Sequence, residues 1–343
     1  MPDLIRIGTA GWAIPRQCAE HFPRDGSGLE RYAARFTAVE INSTFHRSHK
    51  PHTFARWAEA VPEGFRFAVK MPKRISHELK LLGTGDPLRR FWEEVRDLEP
   101  KLGPVLLQLP PSLVYDPVIV EPFFELLRAS IKHPIVCEPR HPTWFDVEAD
   151  GLLATYAIAR AAADPARVPA AGRPGGDVRF AYYRLHGAPR MYYSAYDCAF
   201  VAELAAQIRG AVAKEVWCIF DNTASGAATA NALALQTQLV TTLLGKRAHD
   251  AGNLDQQLVG KKAQWANPPG EPIACCCVQI DTPACGDECR RATSEEPCDD
   301  TSKNIPRSRG CQPYITFSAY GHFPPRRRDE RKGAFQRQDR IQF

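Results

Sequence analysis

Along the first two thirds of the chain, short apolar runs alternate with segments in which apolar residues recur every three or four positions. The runs have the length of β-strands, and the segments have the periodicity of amphipathic helices. The strand-like runs are Ile5–Thr9, Ala38–Phe45, Phe65–Lys70, Pro104–Leu109, Pro134–Glu138, Arg160–Ala163, Val178–Leu185 and Glu215–Phe220. The helical segments are Gly28–Phe36, Pro51–Val61, Asp86–Leu98, Glu121–Ser130, Leu152–Ala159, Phe200–Val212 and Ala227–Leu244.

This alternation predicts a parallel β-sheet with helical crossovers. About eight strand–helix units fit between Leu4 and Leu244, and a (β/α)8 barrel typically takes roughly 250 residues. A doubly wound open sheet is the competing fold, but it calls for a G-x-G-x-x-G turn after the first strand. Gly8-Thr9-Ala10-Gly11 does not supply that turn. We therefore predict an α/β fold, a (β/α)8 TIM-type barrel over residues 4–244.

Polar side chains gather where the predicted strands end. Glu40, Asn42 and Thr44 alternate along one strand, so an extended chain places them on one face. Glu138 with Arg140, and Arg184 with His186, repeat this spacing. Buried polar groups cost folding free energy unless they are paired. Because the carboxyl ends of barrel strands form one rim that carries function, we predict a site there.

We assign roles at this rim by side-chain chemistry. The predicted catalytic residues are Glu40, Glu138, His186 and Asp221, and the predicted ligand-binding residues are Thr9, Trp12, Asn42, Lys70, Gln108, Arg140, Arg184 and Asn222. Asp164 is a further rim candidate, and Phe45, Tyr183, Tyr192, Tyr193 and Tyr196 are candidates for the wall of a pocket. Glu138 or Glu40 would act as a base, His186 as an acid or as a group that orients the ligand, and Asp221 as the orienting group.

Lys70, Arg140 and Arg184 beside these carboxylates predict a small ligand that is polar or anionic, such as a sugar or a phosphate compound. The reaction class stays open among hydrolase, isomerase and lyase chemistry. If the mouth binds a ligand, we expect Arg140 and Glu138 to be held short of full mutual pairing. The competing interpretation is an ion-pair network that only closes the barrel mouth, in which case removing Arg140 would strand a buried carboxylate.

The same residues bear on other classes of function. A divalent metal at the carboxylates and His186 is disfavoured by the three neighbouring cations, so we predict no metal ligand, and no nucleotide-cofactor motif is present. A nucleic-acid-binding or metal-dependent endonuclease-like barrel, and a non-catalytic ligand-binding barrel, remain alternatives. The net charge of +5 over 343 residues is weak support for nucleic acid. No export signal or apolar stretch of membrane length is visible, so we expect a cytoplasmic protein with no membrane partner.

Several motifs together resemble one known family. They are Gly8–Trp12, Val39–Phe45, Phe67–Lys70 with Ile75–His77, Leu107–Pro111, Glu138–His141 with Trp144-Phe145, Tyr183–Gly187 and Phe220–Thr223, in this order. The chain from Leu4 to about Leu244 is similar to the YecE-like family, domain of unknown function 72. The resemblance implies a TIM-type barrel, and it implies no particular reaction because the activity of the family is not established.

Residues 246–343 lie outside this resemblance. They are hydrophilic, and no helical or strand period runs through them. Seven of the 11 cysteines of the chain fall between Cys275 and Cys311, but their spacing matches no standard C-x2-C zinc pair. We predict a low-order, disordered tail, with zinc binding at 275–311 as the alternative. The four other cysteines are expected to be buried thiols.

Overall fold

The computed structural model describes residues 1–240. Two predictions, the low-order tail at 246–343 and the cysteine cluster at 275–311, lie outside the described residues. The end of the last predicted helix lies outside them as well.

The strands of the described chain form two sheets. In chain order they are β1 (Leu4–Thr9), β2 (Ala38–Ile41), β3 (Arg66–Lys70), β4 (Leu102–Gln108), β5 (Ile135–Glu138), β6 (Ile158–Arg160), β7 (Ala162–Asp164), β8 (Gly175–Gly176), β9 (Phe180–Leu185) and β10 (Glu215–Phe220). One sheet has the order β1-β10-β9-β7, and the other has the order β2-β3-β4-β5-β6-β8. Within residues 1–240 every pairing of these strands is parallel except that of β6 with β8.

Helices follow most of the strands, which confirms the predicted α/β fold with parallel sheets. They are α1 (Gly28–Ala33), α2 (Pro51–Glu59), α3 (Gly85–Val95), α4 (Pro117–Ser130), α5 (Val147–Thr155) and α6 (Cys198–Gly210), and residues 227–240 are also helical. The prediction of a helix over Leu152–Ala159 was wrong at its end, because α5 stops at Thr155 and β6 begins at Ile158. Ala157 turns the chain with φ 51°, a conformation that ends a helix.

A closed barrel requires one continuous ladder, and the ladder is interrupted at two places. At the first, between β1 and β2, the hydroxyl of Tyr32 stands between the strands. It accepts from the Thr9 N–H at 2.8 Å and donates to the Ala38 carbonyl at 3.1 Å. Direct bonding resumes one step later, where the Gly11 N–H donates to the Glu40 carbonyl at 2.8 Å. A side-chain hydroxyl therefore replaces a backbone bond in this ladder.

The second interruption lies within one extended segment. Residues Ile158–Arg160 pair with β5, and residues Ala162–Asp164 pair with β9, so that the segment changes partner at Ala161. The Ala161 N–H still donates to the Cys137 carbonyl at 2.8 Å. The predicted parallel sheets are thus confirmed. The predicted closed (β/α)8 barrel is not, because the strand ladder is divided into two sheets.

Two buried layers follow from the alternation of the strands. The larger one lies between the sheets and the helices and contains Tyr32, Phe67 and Trp144. The smaller one lies on the other face of the strands and consists of Ala38, Ala68, Leu106, Val136, Ala159, Ala161, Phe180, Tyr182, Trp217 and Ile219. Because side chains alternate with a period of two, the polar residues two positions beyond Ala38, Ala68, Leu106 and Val136 share this second face.

The thiol prediction holds for three of the four cysteines of the described chain. Cys18, Cys137 and Cys218 are buried and free, whereas Cys198 begins α6 and is exposed. Among residues 1–240, no helix is both long and apolar enough to cross a membrane.

Candidate functional site

Six strands deliver polar side chains to one place at their carboxyl ends. Nine of the predicted site residues meet there, namely Glu40, Asn42, Lys70, Gln108, Glu138, Arg140, Arg184, His186 and Asp221. We call these nine residues the strand-end cluster. Most of them are buried, and Asn42 and Gln108 are partly accessible.

Arg184 is the centre of the strand-end cluster. Its guanidinium is fully buried and donates to Glu40 from Nη2 at 2.7 Å and from Nε at 3.0 and 3.2 Å. Its Nη1 lies 3.1 Å from Glu138 Oε2, and its Nη2 lies 3.0 Å from Asp221 Oδ2. The carboxylates outweigh the effect of burial, so that the pKa of Arg184 is well above its usual value. One cation thereby ties together the ends of three strands.

Glu40 is fully paired by this arrangement. Both of its carboxylate oxygens accept from Arg184, and Oε2 also accepts from the Tyr182 hydroxyl at 2.8 Å. Burial is the main reason that the pKa of Tyr182 is raised well above its usual value, and the negative charge of Glu40 adds to it. Glu40 therefore has little capacity left to accept a proton from a ligand.

His186 lies between two carboxylates. Its Nδ1 is 2.9 Å from Asp221 Oδ2, so Nδ1 carries the proton and donates it. Its Nε2 is 2.9 Å from Glu138 Oε1 and 2.7 Å from Arg140 Nη2. When Nε2 is protonated it donates to Glu138, and when it is unprotonated it accepts from Arg140. The imidazole can thus change partners with its protonation state.

The two carboxylates around His186 stay ionised. Burial disfavours the charged form of Glu138, but the charges of Arg184 and Arg140 outweigh it and hold the pKa of this carboxyl well below its usual range. Burial also disfavours the charged form of Asp221. The charge of Arg184 and the hydrogen bond with His186 outweigh burial and lower the pKa of Asp221. The site is therefore a charged one at neutral pH.

Arg140 is only partly paired. Its Nη2 lies 2.5 Å from Glu138 Oε1, so the two residues form an ion pair through this nitrogen. Its Nε is buried and has no hydrogen-bond partner in the described part of the chain. A guanidinium has five N–H donors, and a buried donor without an acceptor is costly. Arg140 thus keeps donor capacity for a group that is not part of residues 1–240.

Lys70 is the least paired cation of the strand-end cluster. Its side chain is buried, and its Nζ lies 4.2 Å from the centre of the Phe45 ring. No acceptor within residues 1–240 hydrogen-bonds or ion-pairs with this ammonium. Burial, with a smaller effect from the Arg184 charge, lowers the pKa of Lys70 to about 8. Thr44 fixes the backbone here, because its hydroxyl donates to the Lys70 carbonyl at 2.6 Å.

Three predicted ligand-binding residues lie outside the strand-end cluster. Thr9 donates to the Gly11 carbonyl and contacts Tyr32 on the helix side of β1. Trp12 packs edge-on against Trp57, and Asn222 donates to the Ser194 carbonyl and to Asn231. The rim candidate Asp164 also faces away from the cluster and accepts from the Tyr196 hydroxyl at 2.7 Å.

Two tyrosines contact the cluster, and strand alternation could have predicted one of them. Tyr182 is a cluster contact that the sequence analysis missed, while Tyr183, which it named, lies on the helix side. Alternation from Arg184 already places Tyr182 on the same face as the arginine. Tyr192, named as a pocket residue, is 42% exposed and presents its ring to His186 at 5.7 Å between centroids.

A groove of about 570 Å³ is lined in part by Phe45, whose ring contacts Lys70 of the cluster. Its charged lining residues have both signs: Arg47, Lys73, Arg74 and Arg90 are basic, and Glu78, Asp86 and Glu94 are acidic. Glu78 pairs with Lys73 and Arg74. This volume suits a small molecule. The mixed charge differs from the broad basic stripe that would favour nucleic acid.

The oxygen donors of the cluster are already engaged by cations. Within residues 1–240, no three His, Cys, Asp or Glu side chains are grouped as metal ligands. Arg184 contacts Glu40, Glu138 and Asp221, and it would repel a metal ion placed among them.

Comparison with known proteins identifies the family. The family described as "Protein of unknown function DUF72" matches residues 6–252, and the chain belongs to it. The UPF0759 protein YecE of Escherichia coli strain K12 is 32% identical over 151 residues, which are 41% of this chain and 50% of that protein. The protein of the same name from Escherichia coli O157:H7 matches to the same extent. The matched region therefore spans about half the length of these relatives.

Solved structures of the same family share the fold. A DUF72 family protein from Thermotoga maritima MSB8 is 24% identical, with a TM-score of 0.59 over 69% of this chain and 99% of that one. A DUF72 family protein from Enterococcus faecalis V583 is 22% identical, with a TM-score of 0.57 over 69% of this chain and 95% of that one. These likenesses support the α/β architecture and carry no statement about a reaction.

Proposed function

We propose that the strand-end cluster is the active site of an enzyme that transfers protons to or from a small polar or anionic molecule. The observation that carries this proposal is the buried donor capacity that has no acceptor in the described chain, at Lys70 Nζ and Arg140 Nε. Leaving such groups unpaired costs folding free energy. An anionic or carbonyl oxygen of a ligand is a suitable acceptor for either donor.

The proton-carrying group in this proposal is His186. Asp221 holds its Nδ1, which leaves Nε2 as the atom that exchanges a proton, with Glu138 and Arg140 as its alternative partners. A histidine that is oriented by a carboxylate is a common general acid–base arrangement. Glu40 is better suited to hold Arg184 than to act as a base, because its oxygens are occupied.

We further infer that the two sheets are parts of one (β/α)8 arrangement. Tyr32 bridges β1 to β2 through its hydroxyl, and the segment from Ile158 to Asp164 contacts β5 at one end and β9 at the other. At each interruption, therefore, the chain makes hydrogen bonds to both sheets. In this arrangement the strand-end cluster occupies the face where barrel enzymes carry their active sites.

Thermal-shift screening tests the proposed function. Sugar phosphates, nucleotides and duplex DNA are each added to the full chain, with and without divalent metal ions. We expect stabilisation by a small anionic compound, and we expect Arg140→Met to abolish it, since the unpaired donor is lost. Arg179→Met is the matched control, because Arg179 is exposed and its only ion-pair partner within residues 1–240 is Asp177.

The other outcomes decide against the proposal. Stabilisation by duplex DNA alone would favour a nucleic-acid-binding barrel, and stabilisation that depends on a divalent ion would favour a metal-dependent one. A loss of stability in Arg140→Met of about 3–5 kcal/mol, with no small molecule stabilising the parent protein, would favour an ion-pair network without a ligand.

A further inference from the structure

We propose that Lys70 is a covalent catalytic residue that forms a Schiff base with the aldehyde or ketone group of a small anionic molecule. This inference rests on the proposed function, because it requires that the strand-end cluster bind such a molecule. It goes further by naming the reacting atom, Lys70 Nζ, and the chemical class of the substrate, a carbonyl compound.

The first support is the surroundings of the amine. Lys70 Nζ lies over the Phe45 ring at 4.2 Å, and no carboxylate of the described chain forms an ion pair with it. The charged or titratable groups that face Lys70 come from several elements and are Glu40, Glu138, Asp221, Arg184 and His77. A lysine that is desolvated beside another cation is a recognised form of activated amine.

The second support is the charge of the cluster. Glu40, Glu138 and Asp221 carry three negative charges, and Arg140 and Arg184 carry two positive ones. One more proton brings the cluster to neutrality. Both ring nitrogens of His186 lie 2.9 Å from carboxylate oxygens, whereas no carboxylate oxygen of residues 1–240 forms an ion pair with Lys70 Nζ. The carboxylates therefore do not hold the ammonium form of Lys70 by direct contact, and the neutral amine is the nucleophilic form.

The third support is access for a ligand. Phe45 lines the groove of about 570 Å³ and contacts Lys70 with the same ring. The Phe45 side chain therefore belongs both to the wall of the groove and to the surroundings of the amine. The unpaired Arg140 Nε offers a donor within the same cluster for an anionic oxygen.

The Schiff base forms through a carbinolamine. The lone pair of the neutral Nζ attacks the carbonyl carbon, a C–N bond forms, and the π electrons move to the oxygen, which takes up the proton released by nitrogen. The carbinolamine then takes one proton from solvent and loses water as the C–O bond breaks. The nitrogen lone pair forms the C=N bond of an iminium ion. No oxidant or reductant is required.

Competitive labelling with trace acetic anhydride tests the amine itself without a ligand. The full chain is labelled over a pH series and digested, and Lys70 is compared with Lys214, an exposed lysine next to the first residue of β10. We expect half-maximal labelling of Lys70 near pH 8, below the value of about 10.4 that is typical of exposed lysines. A labelling midpoint for Lys70 at or above 10 would overturn the proposal.

Reductive trapping tests the covalent step. Glyceraldehyde 3-phosphate, dihydroxyacetone phosphate and pyruvate are each incubated with the full chain and sodium cyanoborohydride, and adducts are located by mass spectrometry. At least one probe should modify Lys70 about tenfold more than Lys214 at pH 7.5, because far more of the Lys70 amine is unprotonated. No enrichment of Lys70 with any of the three probes would overturn the proposal.

The variant Lys70→Arg separates this inference from the proposed function. It keeps a positive charge but cannot form a Schiff base. If a carbonyl probe stabilises both the parent protein and Lys70→Arg in a thermal shift and neither is trapped, the site binds small molecules and the Schiff-base proposal fails. If no compound stabilises the parent protein, the proposed function fails first.

Discussion

Arg184 and Lys70 are cations of the same cluster, and they are held in opposite ways. In the described part of the chain, Arg184 contacts three carboxylates, whereas Lys70 contacts an aromatic face and no carboxylate. Both side chains are buried, so solvent does not account for the difference. One cluster of charges thus contains a cation that is fully paired, Arg184, and a cation without a paired carboxylate among residues 1–240, Lys70. The first is suited to holding the fold together, and the second is suited to meeting a ligand.

The largest expected effect on the free energy of unfolding comes from replacing Arg184. Arg184→Met leaves the carboxylates of Glu40, Glu138 and Asp221 without their shared cation, and we expect a loss of about 3–5 kcal/mol in the free energy of unfolding. Urea denaturation at neutral pH measures it. The control Arg179→Met removes an exposed ion pair and should cost less than about 1 kcal/mol. Equal losses in the two variants would show that Arg184 is not a structural centre.

A smaller effect sharpens the same comparison. Tyr182→Phe removes only the hydroxyl that donates to Glu40 Oε2. A hydrogen bond to a charged group contributes about 1.5–3 kcal/mol, and we expect a loss of that size by urea denaturation. Tyr193→Phe is the matched control, because Tyr193 is exposed and should be nearly silent. A silent Tyr182→Phe would mean that Arg184 alone satisfies Glu40.

Much of this site could be predicted from the spacing of residues. Alternation placed Glu138 with Arg140, and Arg184 with His186, on one face, and the structure brings them together. The same rule would have placed Tyr182 in the cluster and Tyr183 outside it. Local spacing is informative because the period of a strand is fixed at two.

Other features depend on contacts that local spacing does not encode. Asp164 ends a segment in which Ala159 and Ala161 face inward, so the side chain of Asp164 faces the helices. The inward residues of this segment are not polar, so the sequence did not show which of its positions point inward. The interruption of the ladder at β1 depends on Tyr32, which comes from a helix. Arg184 engages Glu40, Glu138 and Asp221, and no carboxylate among residues 1–240 is left to pair directly with Lys70. This arrangement is a property of the whole cluster.

Lys70 contributes to stability with a sign opposite to that of a paired cation. Its pKa is lowered from 10.5 to about 8 in the folded protein, so the unfolded chain binds more protons between these values. Stability therefore rises with pH in this window, because the folded protein is relieved of a buried charge. Buried thiols such as Cys137 and Cys218, whose pKa values are raised by burial, act in the other direction. Comparison with a matched variant cancels them.

The most direct measurement is the free energy of unfolding of the parent protein and of Lys70→Met at about pH 7.5 and pH 9.5. We predict that the variant is the more stable protein at the lower pH and that its advantage shrinks by about 2 kcal/mol at the higher pH. Lys214→Met, at an exposed position, should show no such change. The opposite result is a free energy of unfolding that changes by the same amount in Lys70→Met and in the parent protein between the two pH values. That result would contradict the claim that Lys70 is a buried amine without a counter-ion among residues 1–240.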